Sequence, residues 1–218
     1  QAINKDVLFA SADPFDCPAT KQADVKATDL RINPTPVPEE ETNYFCKFFD
    51  LNIPAGTQEH VIAYEPIIDN AEVMHHTIIY GCRAADAALY VNESSSDPAY
   101  DCRGGMVGCQ EVLFLWAVGM NGQCHPEEFG GLVGEGGYTG LVMEMHWNNP
   151  QLKAGLVDSS GIKLYHTPTL RPNNAAYVLW GPTQLELKPG EENILKTGGC
   201  GSACTNTHAN SIYITQIS

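Results

Sequence analysis

The chain has 218 residues, of which 43% are hydrophobic, and its formal net charge is −14 at pH 7. This hydrophobic fraction is large enough for a buried core, which excludes wholesale disorder. The negative charge argues against a nucleic-acid ligand and against an anionic membrane surface, because both attract clustered Lys and Arg.

The N-terminal residues, the cysteines and one sequon predict a secreted protein. Residues 1–6 contain neither an initiator Met nor an apolar segment, which is typical of a mature N-terminus after processing. The eight cysteines form no C-x-x-C pairs, so we expect disulfides in an oxidising compartment. Asn92 begins a sequon in a Ser-rich stretch, which predicts glycosylation there. No apolar run approaches the roughly 20 residues of a membrane span. We therefore expect an extracellular or secretory-pathway location.

The first half of the chain predicts an extended segment followed by strands. Prolines are frequent in residues 1–43, which excludes long helices. Strands are predicted over residues 44–49, over 60–68 with an end at the proline, and around the pair His75-His76. We expect residues 83–105 to form a loop tied by disulfides, with at most a short turn in its alanine-rich beginning.

The second half continues as short strands separated by turns. Residues 112–118 are entirely apolar, which predicts a strand buried on both faces. Residues 119–140 are rich in glycine but lack the G-x-G-x-x-G spacing, so we reject a nucleotide site. Further strands are predicted over 141–147, 161–166, 176–180, 184–187 and 211–217. Many short strands with few helical periods indicate an all-β fold, an antiparallel sandwich or jelly roll.

Three histidines are candidates for one metal site. His75 and His76 lie side by side in an apolar run, and His146 recurs in a similar run. Neighbouring side chains of a regular strand point to opposite faces. His75 and His76 could therefore share an ion only at a strand end, at a bulge, or through rings that reach around the backbone. The alternative is one core histidine bonded to a carbonyl and one solvated histidine.

Residues 73–82 resemble the histidine-pair segment of the type II copper, ascorbate-dependent monooxygenases. That family includes dopamine β-hydroxylase, tyramine β-hydroxylase and peptidylglycine α-hydroxylating monooxygenase. Residues 141–150 resemble the segment that carries its third histidine, and residues 109–119 and 158–162 match in order and spacing. The resemblance is closest to the dopamine β-hydroxylase branch and runs from about Tyr44 to the C-terminus.

The resemblance implies an amino-terminal jelly-roll domain that binds one electron-transfer copper through His75, His76 and His146. In the family, this copper takes electrons from ascorbate and passes them to a second copper, where a substrate C–H bond is hydroxylated. Tyr44 and Glu144 fall at family positions near this first copper site, where we expect them to orient its ligands. The alternative for these two residues is a packed tyrosine and a solvated acid.

The resemblance also implies two disulfides, Cys46–Cys102 and Cys82–Cys109. Cys17 and Cys124 remain, and their pairing with each other is one option. Cys200 and Cys204 resemble a segment whose partners lie in the family's second domain, so their partners stay open.

The second copper of the family uses a His-x-His pair and a Met, and the last predicted strand matches the strand that leads into that pair. The remaining histidines are expected to be surface or core residues, His125 being the best placed as an extra ligand: His60, His125, His166 and His208. We expect an extended segment over 1–43, a copper-binding jelly roll over 44–163, and the opening strands of a second, incomplete β domain over 164–218.

Three explanations of the incomplete domain stay open: a fragment of a longer enzyme, a single-copper protein whose last strands pack back, or completion by another chain. The leading hypothesis is a secreted copper-binding domain with no monooxygenase turnover alone; a small-molecule substrate is expected only for the full enzyme. The alternative is a non-catalytic extracellular module that has kept the fold.

Overall fold

The structure, a computed structural model, describes residues 14–90, 92–93, 96–178, 186, 188–199 and 201–207. Within these ranges the chain is built mainly from strands, which confirms the prediction of an all-β sandwich. It divides into two compact units, Gln1–Tyr177 and Val178–Ser218. No helix in the described ranges is long and apolar enough to cross a bilayer.

The described part of the first unit contains thirteen strands. In chain order they are β1 (Lys26–Arg31), β2 (Thr35–Pro36), β3 (Thr42–Asp50), β4 (Gln58–Ile67), β5 (Met74–Cys82), β6 (Tyr100–Asp101), β7 (Glu111–Ala117), β8 (Gln123–Cys124), β9 (Phe129–Gly134), β10 (Gly140–Asn148), β11 (Val157–Asp158), β12 (Gly161–Thr167) and β13 (Asn173–Ala175). Short helices lie at Pro18–Lys21, Ala84–Ala87 and Ala88–Tyr90.

Two sheets form the sandwich. The first has the order β1-β12-β4-β9-β13, with β8 also paired to β4. The second has the order β6-β3-β10-β5-β7 and is antiparallel throughout. Strands β2 and β11 form a small separate pair. In the first sheet only the β9–β13 pairing is parallel.

Apolar side chains from both sheets pack into one core between them. The first sheet contributes Leu30, Val61, Tyr64, Ile162 and Leu164, and the second contributes Ile79, Phe114, Trp116, Met143, Met145 and Trp147. Since successive residues of a strand face opposite sides, the core positions of β10 direct Glu144 and His146 to the outer face of the second sheet.

The outer face of the second sheet is divided between a covered and an open half. The covered half packs Cys46, Cys82 and Val142 against the segment that follows β5. Two disulfides hold that segment, Cys46–Cys102 and Cys82–Cys109, the pairs that the resemblance implies. Because this cover buries its outward positions, the first half of β10 is buried on both faces. The open half carries the histidines.

A third disulfide among the described residues joins Cys17 to Cys124 across 107 residues, the pairing that the sequence left as an option. Asn92 is exposed, as a glycosylation site requires, and its modification stays a prediction. The Ser of its sequon lies outside the described residues.

Several local predictions need correction. β1 lies inside the stretch predicted to be extended surface chain, and it pairs along its whole length with β12. β9 lies inside the glycine-rich stretch, where a Cβ at Gly130 would come within 2.7 Å of the His60 side chain. β7 has one buried face and one half-buried face, so it is not buried on both. The turn predicted after β5 is the short helix Ala84–Ala87.

The unit boundary follows Tyr177, whereas the sequence placed it before residue 164. β12 crosses residue 164 and lies between β1 and β4, and β13 pairs with β9, so both strands belong to the first sheet. Of the strand predicted over 176–180, residues 176–178 form no strand and the rest lies outside the described residues. Most of the predicted strand 184–187 and all of 211–217 also lie outside them. The described part of the second unit contains the helix Ser202–Thr205. That residues 178–218 open a second β domain stays a prediction.

Candidate metal centre

A β-bulge brings the adjacent histidines to one face of the second sheet. His146 pairs with His76, and the next residue, Trp147, pairs with Met74, so His75 is the extra residue of β5. Met74 and Trp147 are buried in the core, whereas the ring of His75 contacts those of His76 and His146. The extra residue of a bulge re-aims its side chain. A bulge is one of the three arrangements that the sequence left open for bringing these two adjacent histidines together.

The three imidazoles meet through their Nδ1 atoms. The distance between the Nδ1 atoms of His75 and His76 is 3.0 Å, and that between His76 and His146 is 3.2 Å. The three rings offer one ligand atom each within 4.8 Å of one another. All three residues are half-buried.

This spacing fits ligands of a single ion. With metal–nitrogen bonds of about 2.0–2.1 Å, the length found in zinc sites, adjacent ligand atoms lie about 3 Å apart. A donor set of three imidazoles suits copper or zinc rather than calcium or magnesium, which prefer oxygen. The residues therefore fit the metal that the sequence predicted.

The surroundings favour a neutral imidazole at His76. Burial and then the nearby charge of His75 lower the pKa of His76. A histidine binds a metal through a neutral ring, so a lowered pKa keeps the ring in its ligand form at neutral pH.

Tyr44 contacts the site directly. It lies opposite His146 in the β3–β10 pairing, and the two rings stack with centroids 4.5 Å apart and an interplanar angle of 10°. The stack restricts the rotation of the His146 ring. This contact suits the orienting role that the resemblance implies for Tyr44.

Glu144 lies on the same face as His146, two positions along β10, and is half-buried. Burial raises the pKa of its carboxyl. Its oxygen lies within 4.8 Å of the sulfurs of Cys46 and Cys102, but these sulfurs are joined in a disulfide and offer no thiolate to a metal. Glu144 therefore adjoins the disulfide, and its role toward the histidines stays a prediction.

The other described histidines lie in separate environments. The His60 ring bonds the side chain of Asn174 and accepts from the backbone N–H of Arg171. His166 contacts Glu59 and Thr28. His125 is buried beside Phe114 and Phe129. Among the residues described, the cluster of His75, His76 and His146 gains no further His, Cys or carboxylate ligand, so His125 is not an extra ligand. His208 lies outside the described residues.

A family model shows where this chain belongs. The model of the N-terminal domain of copper type II ascorbate-dependent monooxygenases matches residues 28–154. The match includes all three histidines of the site and more than half of the chain. The chain is a member of this monooxygenase family.

Individual relatives of the family agree with the match. The chain is 30% identical over 187 residues to DBH-like monooxygenase protein 1 of Gallus gallus, covering 81% of this chain and 30% of the relative. It is 32% identical over 196 residues to dopamine beta-hydroxylase of Rattus norvegicus (84% and 30%) and 33% identical over 196 residues to that of Homo sapiens (84% and 29%). The chain thus spans about 30% of the length of these monooxygenase relatives.

Sequence reasoning missed one buried acid beside the site. Asp158 is fully buried and accepts a hydrogen bond from the indole of Trp147, the residue after His146. In the sequence it is the first residue of the segment 158–162, which was noted for its resemblance to the family and not as part of the site. Nothing in that pattern distinguishes a buried acid from a solvated one.

Proposed function

We propose that this chain binds one copper ion through His75, His76 and His146 and serves as the electron-transfer domain of a copper- and ascorbate-dependent monooxygenase. The single observation that supports this proposal is the bulge that brings three imidazole nitrogens together in a member of that family. Copper bound there would supply one-electron transfer, with ascorbate as the reductant.

The chain's own residues prepare the site in three ways. The bulge at His75 presents two adjacent rings on one face, so that no long loop has to be ordered to assemble the donors. The stacked Tyr44 holds the plane of His146. Partial burial keeps His76 neutral at neutral pH, while the site stays accessible enough for a reductant to approach.

We propose substrate hydroxylation only for a protein that carries both copper sites of the family, the electron-transfer site and the oxygen-activating site. This chain spans about 30% of its relatives, and its described residues form one three-histidine cluster. We propose the oxygen-activating copper and a small-molecule substrate for the rest of such a protein, either in the same chain or in a partner that completes its last strands. Three disulfides support a secreted or secretory-lumen location, because disulfides persist in oxidising compartments.

Metal analysis tests the proposal. The chain is purified without added metal and then loaded with Cu(II), alongside His146→Ala and the control His166→Ala, which removes a histidine of the first sheet. We expect one copper per wild-type and His166→Ala chain, and a Cu(II) spin-resonance signal that ascorbate bleaches. Equal copper content in wild type and His146→Ala would contradict the site and would favour a non-catalytic module. A signal that ascorbate leaves unchanged would contradict the redox role.

A further inference from the structure

The carbonyl of His75 accepts from the N–H of Val118, just after β7, and two further chain segments flank the bulge. On one side lies the end of β10 at Trp147, which pairs with Met74. On the other lies a turn that starts at Asn70, whose backbone carbonyl accepts from the N–H of Met74 at 3.1 Å and whose side chain accepts from the N–H of Glu72 at 3.2 Å. The directions of the imidazoles therefore depend on how this turn is held against the end of β10.

The carboxylate of Asp158 joins these two segments. Its Oδ2 accepts from the indole Nε1–H of Trp147 at 3.0 Å. Its Oδ1 accepts from the backbone N–H of Asn70 at 3.2 Å and from the hydroxyl of Ser160 at 2.6 Å. The side chain of Asn70 in turn donates to the carbonyl of Val157 at 2.9 Å, next to Asp158. One side chain thus contacts both flanks of the bulge.

A carboxylate at this position is costly, so its contacts need an explanation. Asp158, Ser160 and Trp147 are each 0% exposed, and burying a carboxylate costs several kcal/mol unless hydrogen bonds compensate it. Burial raises the pKa of Asp158, and the hydrogen bonds offset only part of this effect. A neutral amide of the same shape would turn a donor toward one of the two flanking N–H groups. A carboxylate accepts from both at once.

We infer that Asp158 is a positioning residue of the three-histidine site: it fixes both flanks of the bulge and thereby sets the directions of the imidazoles. The hydrogen bonds of the Asp158 carboxylate go to Trp147, Asn70 and Ser160, so on this inference it acts on the rings through Trp147 and Asn70. This inference rests on the proposed copper function where copper binding is measured. Its effect on the histidine rings of the metal-free protein rests on the geometry alone.

The main variant is Asp158→Asn in the full chain, which keeps the shape and removes one acceptor. Loss of a residue that orients metal ligands typically costs about 10- to 100-fold in metal affinity. We expect a decrease of that size in Cu(II) affinity, measured by competition with a chelator, and a changed Cu(II) hyperfine splitting. In the metal-free protein, we expect shifted ring resonances of His75, His76 and His146 in proton NMR spectra and an unshifted His166.

Glu59→Gln is the matched control. Glu59 is also a buried carboxylate, 3% exposed, but it belongs to β4 of the first sheet, where it contacts Lys26 and His166. We expect its substitution to lower the thermal unfolding midpoint and to shift the ring resonances of His166. Copper affinity should stay within about twofold of wild type, because distant sites couple weakly.

Ser160→Ala is the second variant, because it keeps the carboxylate and removes one of its donors. It should change the same readouts in the same direction by a smaller factor, and it carries the test if Asp158→Asn does not fold. The inference is overturned if the folded Asp158 and Ser160 variants lower the unfolding midpoint but keep wild-type copper affinity and wild-type resonances of the three histidines. Failure of the copper proposal looks different: His146→Ala then binds as much copper as wild type, and the metal-free resonances alone decide on Asp158.

Discussion

Acid should destabilise this protein through one buried histidine outside the metal centre. His125 is 4% exposed, and its ring lies 6.1 Å from that of Phe114 and 5.4 Å from that of Phe129. Its Nδ1 has no hydrogen-bond partner among the described residues. Burial and then the charge of Arg171 lower the pKa of His125 to about 4. The native state therefore resists protonation of this ring.

The sign and size of the effect follow from proton linkage. Between the ordinary pKa of 6.5 and the lowered value of about 4, the unfolded chain binds a proton at His125 that the native chain does not. The stabilisation from a neutral His125 is thus complete above pH 6.5 and is lost as the pH falls toward 4. Between pH 7 and pH 5 this single group should reduce the free energy of unfolding by about 2 kcal/mol.

The variant His125→Phe removes the titrating group and keeps an apolar ring in the same place. Urea unfolding at pH 7 and pH 5 gives the free energy of unfolding of both proteins. We expect the wild type to lose about 2 kcal/mol more than the variant over this interval, whatever the variant's stability at pH 7. All other titrating groups are common to both proteins. Equal losses would refute the reasoning, since they would mean that His125 accepts a proton in the native state.

Two further substitutions test the site and the packing around it. Tyr44→Leu should weaken copper affinity by up to about tenfold in a chelator competition, because a stacked pair such as that with His146 contributes about 0.5–1.5 kcal/mol; unchanged affinity would show that the stack does not orient the ring. Gly81→Ala should lower the free energy of unfolding by about 1–3 kcal/mol, because the new Cβ would lie 2.4 Å from the ring of Tyr138. Gly104→Ala, where nothing lies within 4 Å, is the control, and an equal loss in both would contradict the packing argument.

The strands that carry the site were predictable, because their apolar alternation is strong. β3, β5 and β10 all fall where the pattern places them. β1 was missed because it is an edge strand with several charged residues and little apolar alternation. Its backbone pairing with β12 holds it in the sheet. β9 was missed because its glycines suggest a loop, whereas Gly130 is small so that the His60 side chain can pack against the backbone.

The sequence singled out the three histidines that the structure brings together, but it did not reveal their geometry. The alternation rule indicated that His75 and His76 need an irregularity in order to share an ion, but a sequence does not reveal which residue of a strand is unpaired. That information lies in the partner strand, where Trp147 and His146 pair with residues two apart on β5. The hydrogen bonds of Asp158 could not be predicted for the same reason, since they join segments that are distant in sequence.

Because of the bulge, the metal site can change in evolution while the pairing of the neighbouring strand residues is kept. Met74 lies in the core and the His76 ring contacts that of His146 on the outer face, so the two face opposite sides, as two directly adjacent strand residues would. Deletion of His75 would therefore leave the pairs Trp147–Met74 and His146–His76 in register. It would remove one ligand and the hydrogen bond that the His75 carbonyl accepts from the N–H of Val118. A single-codon insertion or deletion at this position would thus add or remove one metal donor while the β5–β10 pairs on both sides of it stay in register.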